Sequence, residues 1–228
     1  MKAFLLAAGL GTRLRPLTDT TPKCLISIGD RPMLDIWLDA LVKVGVDEVL
    51  VNLHHLADRV RNHVADRAAG PAVRLFEEPT LLGSAGTLLA NRDWVAGEEM
   101  FLAINADNLT NFDLGVLIDA HRRGGAIATL SVFHAPRPSE CGIVEVHGGR
   151  VVGFQEKPAK PVSDLANAGM YAFSPQVLDL IDGPDIGYHL LPRLAGRARA
   201  VPLDGAYFLD IGTPAALARA REEWQGPS

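Results

Sequence analysis

Residues 4–23 read FLLAAGLGTRLRPLTDTTPK, and this stretch limits the folds open to the chain more than any other. An apolar run passes directly into small residues and two glycines, then into Thr12, Arg13 and Arg15, and closes on Pro22-Lys23. A buried strand feeding a loop at its carboxyl end has this form. Gly9 and Gly11 remove side chains where successive backbone N–H groups would converge on an anion, so the backbone can approach a polyphosphate. Arg13 and Lys23 add fixed positive charge. Two common glycine loops are excluded. Leu14 stands where the dinucleotide fingerprint needs its third glycine, and the Gly-x-x-x-x-Gly-Lys-Ser/Thr string occurs nowhere.

Strand and helix patterns alternate from this start. A first strand is expected over about 2–8. Pro32 opens a helix with Leu34, Trp37, Leu38, Leu41 and Val42 at spacings of three and four, ended by Gly45. Glu48 to Leu53 predicts a second buried strand, a helix follows to about Ala69, and Val73 to Phe76 predicts a third strand. A short helix over 84–92, with Ser84 able to cap it, precedes a strand from Met100 to Ile104 that ends at Asn105-Ala106-Asp107-Asn108. Helix 113–123 and strand 126–133 continue the series. The alternation predicts an α/β, doubly wound, mostly parallel Rossmann-like sheet, with the glycine loop at the carboxyl ends of its strands, where such sheets place their ligand crevice.

From Cys141 the texture changes. Gly148-Gly149 between IVEV and RVVGF predicts a hairpin, and with it a small antiparallel insertion or lid. Strand 168–173, helices near 175–181 and 186–195 and a strand pair ending at Asp210 are expected to rejoin the sheet, and Pro214 opens a last helix. The 228 residues, 48% hydrophobic and 21% charged, suit a single domain over 1–228.

A formal net charge of −5 offers no basic surplus for nucleic acid. The two cysteines, Cys24 and Cys141, are far apart and outside any Cys-x-x-Cys spacing, which points away from disulfides and structural zinc and towards a reducing cytoplasm. The apolar start is too short for a secretory signal and is followed by Arg13 and Arg15, and no apolar run approaches the ~20 residues needed to cross a bilayer. The expectation is a cytoplasmic protein, monomer or small homo-oligomer, with no membrane or nucleic-acid partner.

Asp107 and Asp210 each follow an apolar strand, and two such carboxylates can hold Mg²⁺ beside a triphosphate; taken singly, each reads as a turn or cap. His54 and His55 are adjacent, so on a strand they face opposite sides and are expected to be structural. By themselves Glu156 and Lys157 read as a solvated turn pair.

The ordered string Gly9, Gly11, Thr12, Arg13, Leu14, Pro16, Leu17, Thr18, Pro22, Lys23 resembles the signature of the sugar-1-phosphate nucleotidylyltransferases, although Cys24 stands where that family commonly has a second proline. The string Asp210-Ile211-Gly212-Thr213-Pro214 resembles its tail signature, and the resemblance runs over essentially the whole chain. It implies catalytic roles for Arg13 and Lys23 and nucleotide binding by Leu6, Ala7, Ala8, Gly9, Gly11, Thr12, Glu78 and Gly83. It further implies Mg²⁺ ligation by Asp107 and Asp210, and sugar-phosphate binding by Gly142, Glu156, Lys157 and Asn167.

The implied substrates are a nucleoside triphosphate and a sugar 1-phosphate. If Glu78 meets the base, an acceptor-only carboxylate suits the two donors of guanine. GTP with a manno-configured sugar, mannose or heptose 1-phosphate, is the first expectation, and UTP with a muramate- or glucose-type acceptor the second. A catalytically silent nucleotide-sugar-binding subunit and a transferase for a non-sugar phosphate are the rival readings.

Overall fold

The computed structural model describes residues Met1 to Gly226. In chain order its strands and helices are β1 (Lys2–Leu6), β2 (Ser27–Ile28), β3 (Arg31–Pro32), α1 (Met33–Lys43), β4 (Glu48–Leu53), α2 (Ala57–Ala65), β5 (Ala72–Glu77), α3 (Ser84–Ala90), α4 (Arg92–Val95), β6 (Phe101–Asn105), β7 (Asn108–Thr110), α5 (Leu114–Gly124), β8 (Ala128–His134), β9 (Gly142–His147), β10 (Arg150–Glu156), β11 (Leu165–Phe173), α6 (Ile186–His189), β12 (Ala198–Pro202), β13 (Phe208–Asp210) and α7 (Pro214–Glu223). The architecture is mixed α/β, as the alternation predicted. The chain divides into two compact units, one made of Met1–Leu81, Ile104–Leu114 and the residues from Ala206 on, the other of Leu82–Ala103 and Gly115–Gly205.

In the first unit the strands run in the order β5, β4, β1 and the end of β6. β1 and β4 are parallel, from Lys2 opposite Glu48 to Leu5 opposite Val51, and β4 and β5 are parallel from Glu48–Ala72 to Leu53–Glu77. Phe4, Leu5 and Leu50 are fully buried. α1 buries Leu34, Trp37, Leu38 and Leu41, the spacing of a helix face. Val42, counted in the same pattern, lies off that face and is 46% exposed. The last strand does not rejoin the main sheet as expected: β13 pairs antiparallel with β7, Asp210 opposite Asn108, in a separate two-stranded ribbon.

The second unit holds the antiparallel pairs. β8 lies between β11, antiparallel, and β12, parallel, and β9–β10 form the predicted hairpin. Gly148 and Gly149 both have positive φ, 56° and 75°, which a type I′ turn demands at its two central residues. Phe101 meets Phe173 edge-on at 5.9 Å between ring centres, and Tyr171 stacks on Phe173 at 5.1 Å. The helices expected over 175–181 and 186–195 are a 3₁₀ run, Pro175–Leu180, and the short α6 followed by a second 3₁₀ turn, Leu191–Leu194; a proline stands in the first turn of each 3₁₀ segment, Pro175 and Pro192, where its missing N–H is harmless.

His121 of α5 is buried with its two ring nitrogens on Thr129 Oγ1 (3.1 Å) and Ser174 Oγ (3.2 Å). Burial holds its proton affinity below the ordinary value of 6.5, and the charge of Glu99 opposes this only in part. An unfolded chain therefore binds a proton near pH 6.5 that the folded chain refuses. The stability this group contributes is fully present above that pH and is lost as the pH falls towards the folded value, with a slope of at most about 1.4 kcal/mol per pH unit. Denaturation of wild type and His121→Gln between pH 7.5 and 5 should show a flatter pH dependence for the variant; equal slopes would refute the assignment.

Candidate functional site

The predicted loop leaves β1 earlier than the apolar run suggested. The ladder to β4 is finished by Leu6, and the N–H groups of Ala7 and Ala8 turn to the side chain of Asn52, at 2.6 and 3.3 Å from Oδ1. Gly9 and Thr12 are exposed. Gly11 adopts φ 61°, and a Cβ there would stand 2.8 Å from Thr18 Cγ2, so only glycine fits both the turn and the contact. Thr18, fully buried, donates its hydroxyl to Gly11 O at 2.8 Å. His55 Nε2–H donates to Thr18 O at 2.9 Å, and His54 Nδ1–H to Glu78 O at 2.8 Å, so both histidines are structural, as expected.

Lys23 lies in the 3₁₀ turn Lys23–Leu25, its side chain only 11% exposed, with Nζ 2.6 Å from Asp107 Oδ2 and 3.9 Å from Asp210 Oδ1. Arg13 Nη2 lies 4.0 Å from Asp210 Oδ2. Residues 13, 23, 107 and 210, which the sequence separates widely, thus form one cluster. The ribbon of β7 and β13 brings the aspartates together, and Ile211 N–H donates to Asp107 O at 3.1 Å. Gly212 N–H donates to Asp210 Oδ1 at 2.7 Å, and a Cβ on Gly212 would run into the Arg13 guanidinium. A small cavity of about 50 Å³, lined among others by Leu6, Ala7, Gly9, Lys23 and Asp107, opens beside this cluster.

Burial and then the charge of Asp107 push the Asp210 carboxyl above its ordinary range, while Lys23, the Gly212 N–H and Arg13 hold it down. Two carboxylates that repel one another within reach of one ammonium are a donor set for a hard cation, and Mg²⁺ takes one or two carboxylates together with water and phosphate oxygens. Among the described residues no three His, Cys, Asp or Glu side chains converge as a closed metal site would require. Cys24, next to Lys23, is buried and its thiol is pushed up to about 12, so it is an inert core residue.

Glu78, expected to meet the base, is buried behind the glycine loop. It is 1% exposed and its Oε1 accepts from Asn52 Nδ2 at 2.9 Å, with its N–H on Leu53 O at 2.8 Å.

The remaining predicted residues lie in the second unit. Gly83 is the residue before α3, with φ 78°, and its Cα packs against the carbonyl of Pro184, leaving no space for a side chain. That carbonyl accepts the N–H groups of Ala85 and Gly86 at 2.9 and 3.1 Å. Ser84 is not the cap: its Oγ accepts from Ile186 N–H at 2.8 Å instead. Gly142 pairs with Glu156 across the hairpin, and a Cβ there would stand 2.7 Å from Glu156 Oε2. Lys157 holds a left-handed φ of 44° and places Nζ 3.8 Å from Glu156 Oε1. Burial raises the Glu156 carboxyl, Lys157 lowers it, and Asp185 raises it again. Asn167 sits where β11 slips its register against β8, donating to Tyr171 OH at 2.6 Å and accepting from Gly169 N–H at 3.2 Å. Asn52, Asp185 and Tyr171 were missed by sequence reasoning. An asparagine in the apolar run VLVNL is the one legible signal, since a buried amide must find partners.

A protein-family profile described as nucleotidyl transferase matches residues 2–225. The chain is 34% identical over 223 residues to mannose-1-phosphate guanyltransferase beta-B of Xenopus laevis, and 35% identical over 223 residues to the catalytic subunit beta of mannose-1-phosphate guanylyltransferase of Danio rerio. Each alignment covers 94% of this chain and 62% of the relative, so the chain spans less than two thirds of the length of these relatives. A crystal structure from Bacillus anthracis, described as a glucose-1-phosphate thymidylyltransferase, is similar with a TM-score of 0.86 over 97% of this chain and 94% of that one; at 22% identity this is a likeness of fold.

Proposed function

The chain belongs to the nucleotidyl transferase family, and from that premise we propose that it transfers a nucleoside monophosphate from a nucleoside triphosphate to a sugar 1-phosphate, releasing pyrophosphate. The observation that carries this reading is the convergence of Lys23, Arg13, Asp107 and Asp210 at the mouth of a glycine loop. An oxygen of the acceptor's phosphate forms a bond to the α-phosphorus while the bond from that phosphorus to its bridging oxygen breaks, and pyrophosphate leaves with the electron pair. The attacking oxygen is already ionised at neutral pH, so no general base is required and catalysis rests on position and charge.

Lys23 is assigned to the α-phosphate, whose charge changes most at the transition state, and Arg13 to the β- and γ-phosphates and the leaving pyrophosphate. Gly9, Gly11 and Thr12 offer backbone N–H groups to the phosphates, and Lys157 and Glu156, with Gly142 and Asn167 around them, hold the sugar phosphate and its hydroxyls. Asp107 and Asp210 would hold Mg²⁺, which when bound neutralises phosphate charge. The names of the relatives support GTP and mannose 1-phosphate as the substrates. Both cysteines are free, which supports the cytoplasm as the place of action.

Pyrophosphate release from four nucleoside triphosphates against mannose, heptose, glucose and N-acetylmuramate 1-phosphates, with Mg²⁺, tests the reading. GTP with a manno-configured acceptor should give the highest kcat/KM. A preference for UTP would move the specificity to the muramate or glucose class. No release from any pair, together with tight binding of a nucleotide sugar, would replace the enzyme by a binding subunit.

A further inference from the structure

We propose that Asn52, held in one orientation by Glu78, is a positioning residue for the phosphate loop; its effect on turnover rests on the function proposed above. In an extended strand successive N–H groups point to opposite sides. Here those of Ala7 and Ala8 converge on a single oxygen, Asn52 Oδ1, at 2.6 and 3.3 Å. The two lone pairs of an amide oxygen can satisfy both. The convergence bends the backbone out of β1 at Ala7, and so sets the direction in which Gly9 to Thr12 leave the sheet. The same side chain keeps these two donors out of competition for an anion.

An asparagine amide can be turned either way round, and the wrong way would present an NH₂ group to two N–H donors. Glu78 removes the choice. Its Oε1 lies 2.9 Å from Asn52 Nδ2 and only accepts when ionised, so Oδ1 must face the loop. Asn52 is 5% and Glu78 1% exposed, so neither is reoriented by water. Glu78 is itself fixed through its backbone, by Leu53 O on its N–H and by the His54 ring on its carbonyl. Four residues of β4, β5 and their extensions thus decide the path of a loop that none of them belongs to.

An exchange of chemistry across the pair tests this. Asn52→Asp sets two carboxyl groups against each other, which must either repel as like charges or take up a proton to share, and should lower kcat/KM for the triphosphate about a hundredfold while KM for the sugar 1-phosphate stays within about twofold. Glu78→Gln keeps an acceptor and should lose at most about tenfold. The double variant Asn52→Asp, Glu78→Gln restores a donor facing an acceptor and leaves an acid oxygen for the loop; it should recover to within about tenfold of wild type.

A double variant no better than Asn52→Asp overturns the proposal. So does a Glu78→Gln loss that shifts the GTP/UTP ratio and is not relieved by Asn52→Asp, because Glu78 would then act on the base. Amide exchange of Ala7 and Ala8, read by NMR, needs no turnover: both should be protected in wild type and lose protection in Asn52→Ala. If protection survives, the proposal is wrong whatever the kinetics. If wild type releases no pyrophosphate, the transferase reading falls and exchange alone decides.

Discussion

Lys23→Met should lower kcat for nucleotidyl transfer by about a hundredfold to a thousandfold while the KM for the triphosphate rises far less. The substitution keeps the side chain's apolar stem, which is nearly buried, and removes only the ammonium. Charge at the α-phosphate grows between the ground state and the transition state, and an interaction that strengthens along that path acts on kcat. Preorganised charge in a partly closed site is worth this much in other enzymes. Arg13, 64% exposed at its side chain and assigned to the far end of the triphosphate, is the control: Arg13→Ala should lower the rate and weaken triphosphate binding together. Single-turnover rates with binding titrations separate the two effects, and an unchanged kcat in Lys23→Met would end the division of labour between them. Thermal denaturation of both variants guards against a folding explanation.

The second large effect is expected at the aspartates. Asp210→Asn keeps the oxygen that accepts from Gly212 N–H, and so keeps the local turn, but removes the charge. Asp107→Asn likewise keeps an acceptor facing Lys23. Each should reduce turnover about a hundredfold or more at saturating substrates, and each should raise the Mg²⁺ concentration needed for half-maximal rate. Near wild-type turnover with an unchanged Mg²⁺ requirement in either variant would remove that residue from the metal pair. A surface ion pair of the ordinary kind would be worth little in either measurement, since exposed pairs contribute ~0–1 kcal/mol; the size of the loss therefore distinguishes a working site from a decorative one.

Much of this molecule was legible in one dimension. The period of three and four in α1, the β4 run and the glycine pair of the β9–β10 turn are local patterns, and local patterns predict the elements they build because propensity, burial and turn geometry act over a few residues. The glycine loop was legible for the same reason: Gly11 needs its positive φ wherever the chain goes next. Arg13, Lys23, Asp107 and Asp210 sit on such local signatures, and the fold brings the four side chains together.

Only the tertiary structure decided how the string's acids and amides are used. The sequence around Glu78 does not tell which group its carboxylate meets, and the backbone bonds to Leu53 and His54 set it against Asn52. Ser84 has the residue type of a helix cap, but Pro184, 100 positions later, supplies the carbonyl that accepts the helix's first N–H groups, and the hydroxyl goes elsewhere. β1 reads as a strand through Ala8, and ends at Leu6 because an asparagine 45 residues away outbids the ladder for the Ala7 N–H. Hydrogen-bonding groups take whichever partner folding brings within 3 Å, and sequence distance does not enter that choice.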